Sequence, residues 1–403
     1  MVLISKTEMF YTRSLFLLFG VGVVMIAPRI PDIKANLQVN NGTLGTLISI
    51  GTLGALTALI FMGQIVHRFG ALPVLIASAT GLYSAMAMQP HIHSLGLFAL
   101  DQVACGMGWA GFHITINSQG LYRQKVSGRS ILSKLHGMWS LGALISAIIS
   151  IGITSRISLA WHIDVGISLI WLATMYCILR LRGVLLTASD EYEEGARPSV
   201  TSIYSFLKKE WVIVIALTMG VMIETAANDW ASLFTKEDIK ASSSLSILSY
   251  VAFTSGMIIG RLNLYRLFLR YSERQLIQRG AFIGGSIFLL GIQIASHIAP
   301  QHPKIGLTFA VLAFLGGGLG SSAMAPGFTT IATRNSRFPA SFVVSQMSLV
   351  NTGIFFLSKI LISWVAQATS ITTALMIPGA VLLGTGAFAR LGSSQSHTRE
   401  LSS

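Results

Sequence analysis

Charge is what this chain has least of. Only 11% of its 403 residues are charged, 28 Lys and Arg against 15 Asp and Glu, where a soluble globular domain carries roughly 25%. A soluble chain of this length would need polar surface for two or three domains, and that surface is missing. The polar residues are bunched between long apolar runs, so the medium facing most of the surface is lipid. Cysteine is nearly absent as well. Cys105 and Cys177 both fall inside apolar runs and no CxxC spacing exists, which reads as core filler rather than a disulfide or a metal site. No His/Asp cluster with metal-ligand spacing and no Walker motif is present, so neither a metal, a cofactor nor ATP hydrolysis is expected. The glycines at Gly316, Gly317, Gly318 and Gly320 are not a phosphate loop, because no strand precedes them and no Lys-Ser/Thr follows.

What the chain does have is apolar length, with 52% hydrophobic residues. A spanning helix needs about 20 apolar residues. Twelve stretches meet that need: 12–31, 43–66, 71–90, 95–119, 135–155, 161–181, 211–233, 244–267, 277–298, 304–326, 340–363 and 369–390. The first follows Arg13 and lacks a small-residue cleavage site, so it is expected to be retained as a helix rather than removed as a signal peptide. The connections are short except for 182–210, which holds the acidic tract Asp190-Glu191-Tyr192-Glu193-Glu194. The expected fold is therefore an all-α integral membrane protein of twelve transmembrane helices in two six-helix bundles. The first bundle is 1–181, the central loop 182–210 and the second bundle 211–403.

The net charge of +13 admits two explanations, a nucleic-acid-binding face or the positive-inside bias of a membrane protein. Position decides between them. With a cytoplasmic N-terminus, twenty-one of the 28 Lys and Arg fall on the cytoplasmic side. Arg29, Lys34, Arg156, Lys236, Lys240 and Lys304 fall on the other, and Lys359 sits inside a helix. The pattern places both termini in the cytoplasm, explains the basic balance and leaves no case for nucleic acid. A 6+6 arrangement suggests an internal duplication with the substrate site between the repeats. Asp32-Ile33-Lys34-Ala35 after the first helix and Asp238-Ile239-Lys240-Ala241 after the seventh fit such a duplication.

The segment after the second helix reads Gly63-Gln64-Ile65-Val66-His67-Arg68-Phe69-Gly70. It resembles the loop signature of the major facilitator superfamily, with Gly63, Arg68 and Gly70 in place and His67 where the family carries Asp. The runs Arg129–Gly142, Glu224-Thr225-Ala226-Ala227-Asn228-Asp229-Trp230, Gly260-Arg261-Leu262 and His113–Gly120 resemble helices 5, 7, 8 and 4 of its YbjJ-like bacterial inner-membrane branch. His113 and Tyr265 stand where that branch carries Asp. The resemblance covers about 29–260. It implies a twelve-helix secondary transporter of the cytoplasmic (inner) membrane, monomeric, taking a small-molecule substrate in a lipid setting, with protons as a candidate coupling ion. It also implies a gating loop built from Gly63, His67, Arg68 and Gly70, with Arg261 in the matching position of the second half. The buried Arg of the family's helix 4 pattern would fall at Gln102, and the Gly-Pro pattern of helix 5 finds Gly142 without Pro. Both departures count against a standard drug/proton antiporter.

Ionisable groups inside a bilayer cost a few kcal/mol or more each, so they line a cavity or pair internally. Glu224 falls roughly 20 Å into the seventh helix, placed either to carry a proton or to bind a neighbouring helix. Asp229 lies about 140° further round, so the two carboxylates face different ways, Glu224 sharing its face with Asn228. On the fourth helix His113 and Asn117 lie one turn apart beside small residues, a pattern of either a solvated cavity wall or a packed imidazole. Asp101 sits nearer the outer end of that helix. His136 and Trp139 on the fifth offer a polar ring and an aromatic surface suited to organic solutes. Lys359 is expected to snorkel to the outer interface. The leading function is secondary active transport of a small organic solute by alternating access, coupled to protons. A drug or metabolite efflux antiporter of the same fold is the alternative, and an enzyme acting on lipid-linked substrates is the alternative of a different class.

Overall fold

A computed structural model describes residues 4–127, 131–185, 200–335 and 340–391. Within them all regular structure is helical. The first compact unit, Met1–Glu194, holds α1 (Lys6–Val24), α2 (Ile30–Leu37), α3 (Asn41–Phe69), α4 (Ala71–Met88), α5 (Leu95–Ser127), α6 (Leu132–Ile153) and α7 (Leu159–Leu181). The second, Gly195–Ser403, holds α8 (Val200–Glu237), α9 (Leu248–Phe268), α10 (Glu273–Ile298), α11 (Pro303–Ser321), α12 (Met324–Asn335), α13 (Ala340–Ala368) and α14 (Ile371–Leu391).

Two expected spans are interrupted. The first breaks after Val24 into a 3-10 turn at Ala27–Arg29 and then α2, with Pro28 and Pro31 each in the first turn of the piece it opens, where proline's missing N–H costs least. The tenth ends at Ser321 and resumes as α12. Counting each broken pair as one span gives twelve. Nine segments among the described residues are long and apolar enough to cross a bilayer by composition alone. The spans outside that set are α5 and α9, which carry polar side chains along their length, and α14, whose apolar stretch Ile371–Ala387 is shorter. At its other extreme α8 begins at Val200, well before the expected 211. The Lys208-Lys209-Glu210 run that ends the apolar stretch does not end the helix.

Lipid is as apolar as leucine, so these helices associate through close packing rather than through the hydrophobic effect. In the first unit α1 packs on α6 and α7, α3 on α5, and α4 on α5 and α7. In the second α8 packs on α13 and α14, α9 on α11, and α10 on α11 and α14. Numbered as spans, the five pairings are the same in both units, which is the architecture a duplicated six-helix repeat produces. Glycine permits the tightest of them at equivalent places. A Cβ on Gly106 of α5 would strike the Gly51 carbonyl of α3, and one on Gly318 of α11 would strike the Phe253 carbonyl of α9. The α11 glycines therefore serve helix contact, and the helix runs unbroken through them.

The four-residue repeat also has a structural counterpart. Ile33 and Ile239 are both buried. Asp32 pairs with Arg29 at 2.9 Å, and the Arg29 guanidinium donates to the Thr154 and Ile157 carbonyls and to His162 Nδ1. The end of the first span is thereby tied to the start of the sixth. Asp238 accepts from the Thr372 backbone N–H at 2.8 Å and from its hydroxyl at 2.5 Å, tying the end of the seventh span to the start of the twelfth. Arg29, at the outer end of the expected first span, is 2% exposed because it supplies donors to carbonyls that α6 and the turn after it leave unpaired.

Candidate functional site

In the second unit Glu224 and Asp229 of α8 each hold a cation from a neighbouring helix. Glu224 Oε2 accepts from Arg261 Nη2 of α9 at 3.3 Å, with the two side chains 26% and 33% exposed. Asp229 Oδ2 lies 2.8 Å from Lys359 Nζ of α13, with exposures of 14% and 20%. The divergence of the two carboxylates round α8 is thus realised as pairing with different helices. Asn228 is exposed beside Glu224. The Thr218 hydroxyl donates to Asn351 of α13, and Thr235 donates to Ser249 at 2.6 Å, so polar bonds tie the second half of α8 to its neighbours. One expectation is corrected here. Lys359 does not snorkel; an ammonium with a carboxylate at 2.8 Å is better satisfied than one stretched along an apolar stem. Arg261 lies inside α9, within the expected eighth span, where a carboxylate offsets its charge.

In the first unit His113 of α5 joins a cluster of rings. Its imidazole stacks on Trp109, one turn earlier, with centroids 5.1 Å apart and planes 6° apart. His136 of α6 stands at 62° to it with centroids 6.4 Å apart, and Phe19 of α1 lies 6.1 Å away. His136 packs in turn against Phe16. Trp139 packs partly buried on the same core. The Asn117 amide donates to the His113 carbonyl at 2.7 Å, fixing its side chain along the helix. Trp109 was not singled out from the sequence, although its i−4 spacing from His113 put both rings on one face.

Asp101 lies apart from this cluster. It hydrogen-bonds Gln89, and its Oδ2 is buried with no partner among the described residues. The segment Gly63–Phe69 is the last part of α3 rather than a loop, and the turn is made by Gly70, whose φ of 78° suits glycine. Arg68 is exposed, with its guanidinium 5.4 Å from the Phe69 ring centroid. The side chains of Gly63, His67 and Tyr265 lie outside the described ones. Arg123, beyond the end of the expected fourth span, is buried in α5 and pairs with Glu8 of α1 at 2.8 Å. It also donates to the Gln119 and Val184 carbonyls. No group of three His, Cys, Asp or Glu among the described residues is placed to hold a metal ion.

Twelve spans in two matching six-helix units, with ionisable pairs between helices, define a polytopic membrane transporter. The profile of the Major Facilitator Superfamily matches residues 14–362, and the chain belongs to that superfamily. It is 23% identical to an MFS-type transporter of Yersinia pestis over 94% of each chain. It is 24% identical to the membrane protein MosC of Rhizobium meliloti, over 90% of this chain and 84% of that one. The fold is similar to that of the nucleoside transporter NupG, with a TM-score of 0.71, 14% identity and coverage of 95% and 97% of the two chains. It is also similar to that of a D-xylose-proton symporter, with a TM-score of 0.70, 13% identity and coverage of 95% and 96%. The protein is a secondary transporter of a small-molecule solute, not an enzyme.

Proposed function

We propose that the chain is a proton-coupled transporter of a small organic solute, with the Glu224–Arg261 pair as its coupling element. The observation that carries this is the contrast between the two ion pairs of α8. The Asp229–Lys359 pair is short and nearly enclosed, as a structural tie between helices would be. The Glu224–Arg261 pair is longer and the more exposed of the two, at 26% and 33%, which makes Glu224 the more accessible carboxylate for a proton. Protonating Glu224 removes the attraction that holds Arg261, and the freed guanidinium can then turn to a solute or a carbonyl. This links proton binding to a change in what α9 contacts, the differential interaction that coupling requires. His113, Asn117, His136 and Trp139 are the solute-facing candidates of the first unit, while Asp101 and the Arg68–Gly70 turn are assigned supporting roles.

The charge asymmetry of the loops supports an inner-membrane location with both termini cytoplasmic, and the two-unit chain supports a monomer. Nucleosides and D-xylose, carried by proteins of similar fold, are the first solutes to try. In proteoliposomes the wild-type protein is expected to show counterflow of its solute and accumulation driven by a pH gradient. Counterflow without any response to a pH gradient would remove the proton from the account.

A further inference from the structure

We infer that Asp101 is a second proton-binding site, in the outer part of the first unit, and that proton-driven transport requires it. This rests on the proton-coupled reading above and adds a site to it.

The carboxyl is placed where a negative charge is hard to keep. Asp101 lies roughly 9 Å along α5 from Leu95, inside the span. Its Oδ2 is buried and finds no partner among the described residues. Its hydrogen bond is to Gln89, a carboxamide 3% exposed in the 3-10 turn Gln89–His91 between α4 and α5. Glu224 and Asp229 each answer a cation, at 3.3 and 2.8 Å, whereas no cation pairs with Asp101 among the described residues. A carboxyl at membrane depth with one neutral donor is better held as the acid than as the anion.

The surroundings offer no substitute for a cation. From Asn41 to Val66 α3, which packs on α5, has no ionisable side chain. From α4 comes Tyr83, a buried phenol that faces Thr174 of α7. On α5 itself the titratable neighbour is the Cys105 thiol, one turn on. His91, at the end of the outer turn, is exposed and held by Asp164 at 3.0 Å. Arg29 and Asp32 pair with one another. The ionisable groups of α1 and α6 lie at Lys6–Arg13 and Lys134–His136, toward the opposite end of the unit.

Gln89 serves both forms of the carboxyl. Its amide nitrogen donates to the carboxylate, and its carbonyl oxygen accepts from the acid. One partner therefore holds the group under the outer turn while the proton comes and goes. Water at that end of α5, admitted when the transporter opens outward, carries the proton to and from the site.

The test uses full-length purified protein in lipid films, with infrared difference spectra between ordinary and heavy water near neutral pH. Wild type is expected to show the C=O stretch of a protonated carboxyl. Asp101→Asn is expected to lose that band, Asp101→Glu to keep it at a moved frequency, and Glu224→Gln to leave it in place. No band in wild type, its survival in Asp101→Asn, or its loss in Glu224→Gln alone would overturn the assignment. In proteoliposomes Asp101→Asn is expected to lose at least about tenfold of the accumulation driven by a pH gradient. Wild-type accumulation by that variant would show a proton that takes no part in transport, against the proposal. The two readings fail apart: a wild type without gradient-driven accumulation strikes the coupled transporter, while one that accumulates solute but lacks the band strikes Asp101.

Discussion

Lys359 Nζ stands 2.8 Å from Asp229 Oδ2 and joins α13 to α8 within the second unit. Removing one partner of such an enclosed pair strands the other charge, and the cost of stranding exceeds the net worth of the pair. Asp229→Asn or Lys359→Met alone is therefore expected to destabilise the protein by a few kcal/mol, about 3–5 as an upper range. The double variant is expected to recover most of the loss. Thermal unfolding of the four proteins in detergent checks this; a double variant no better than the worse single one would show that the pair is incidental.

Asp101 gives the opposite expectation. Its Oδ2 is buried without a partner, and no cation faces it in an ion pair among the described residues. Asp101→Asn replaces an under-satisfied carboxylate with a neutral group of the same shape, so stability is expected to hold or rise by about 1 kcal/mol. A loss as large as that of Asp229→Asn would mean that the Asp101 charge is held by more than its bond to Gln89.

Arg29 supplies three donors to four acceptors on α2, α7 and the end of α6. A lysine has one point of charge and cannot reproduce that fork. Arg29→Lys is expected to lose nearly as much stability as Arg29→Met, with about 1–3 kcal/mol for each buried acceptor left unpaired. Full retention of stability in Arg29→Lys would reduce the hub to a simple charge.

The glycines separate by what faces them. Gly106→Val is expected to prevent folding, because its Cβ would meet the Gly51 backbone, which cannot yield. Gly353→Ala on α13, where nothing lies within 4 Å, is expected to be neutral or slightly stabilising through helix propensity. Expression and monodispersity of the two variants are the readout, and equal behaviour would contradict the packing described.

Much of the fold was legible because lipid imposes one rule, a helix of fixed apolar length, on every span. The interrupted spans followed less simply: Pro28 and Pro31 lie within the expected first helix and break it, while α11 keeps its glycine run intact and ends beyond it. The identities of Glu224, Asp229 and His113 as candidates came from polarity at membrane depth. Their partners did not, because Arg261 and Lys359 lie 37 and 130 positions away from Glu224 and Asp229, and helix periodicity on one span says nothing of which neighbour it meets. The burial of Arg29 and Arg123 was not legible for a related reason. A charge beside an apolar run looks exposed in sequence, whereas the ends of packed helices offer unpaired carbonyls that draw it inward.

The central claim is that Glu224, held by Arg261, couples proton movement to solute movement. It is tested most directly by comparing wild-type protein and Glu224→Gln in proteoliposomes, with the labelled solute that gives counterflow in the wild type. Glu224→Gln is expected to keep counterflow within about threefold while losing at least about tenfold of the accumulation driven by a pH gradient, because exchange needs no net proton transfer and accumulation does. Wild-type accumulation by Glu224→Gln under the same gradient would contradict the account.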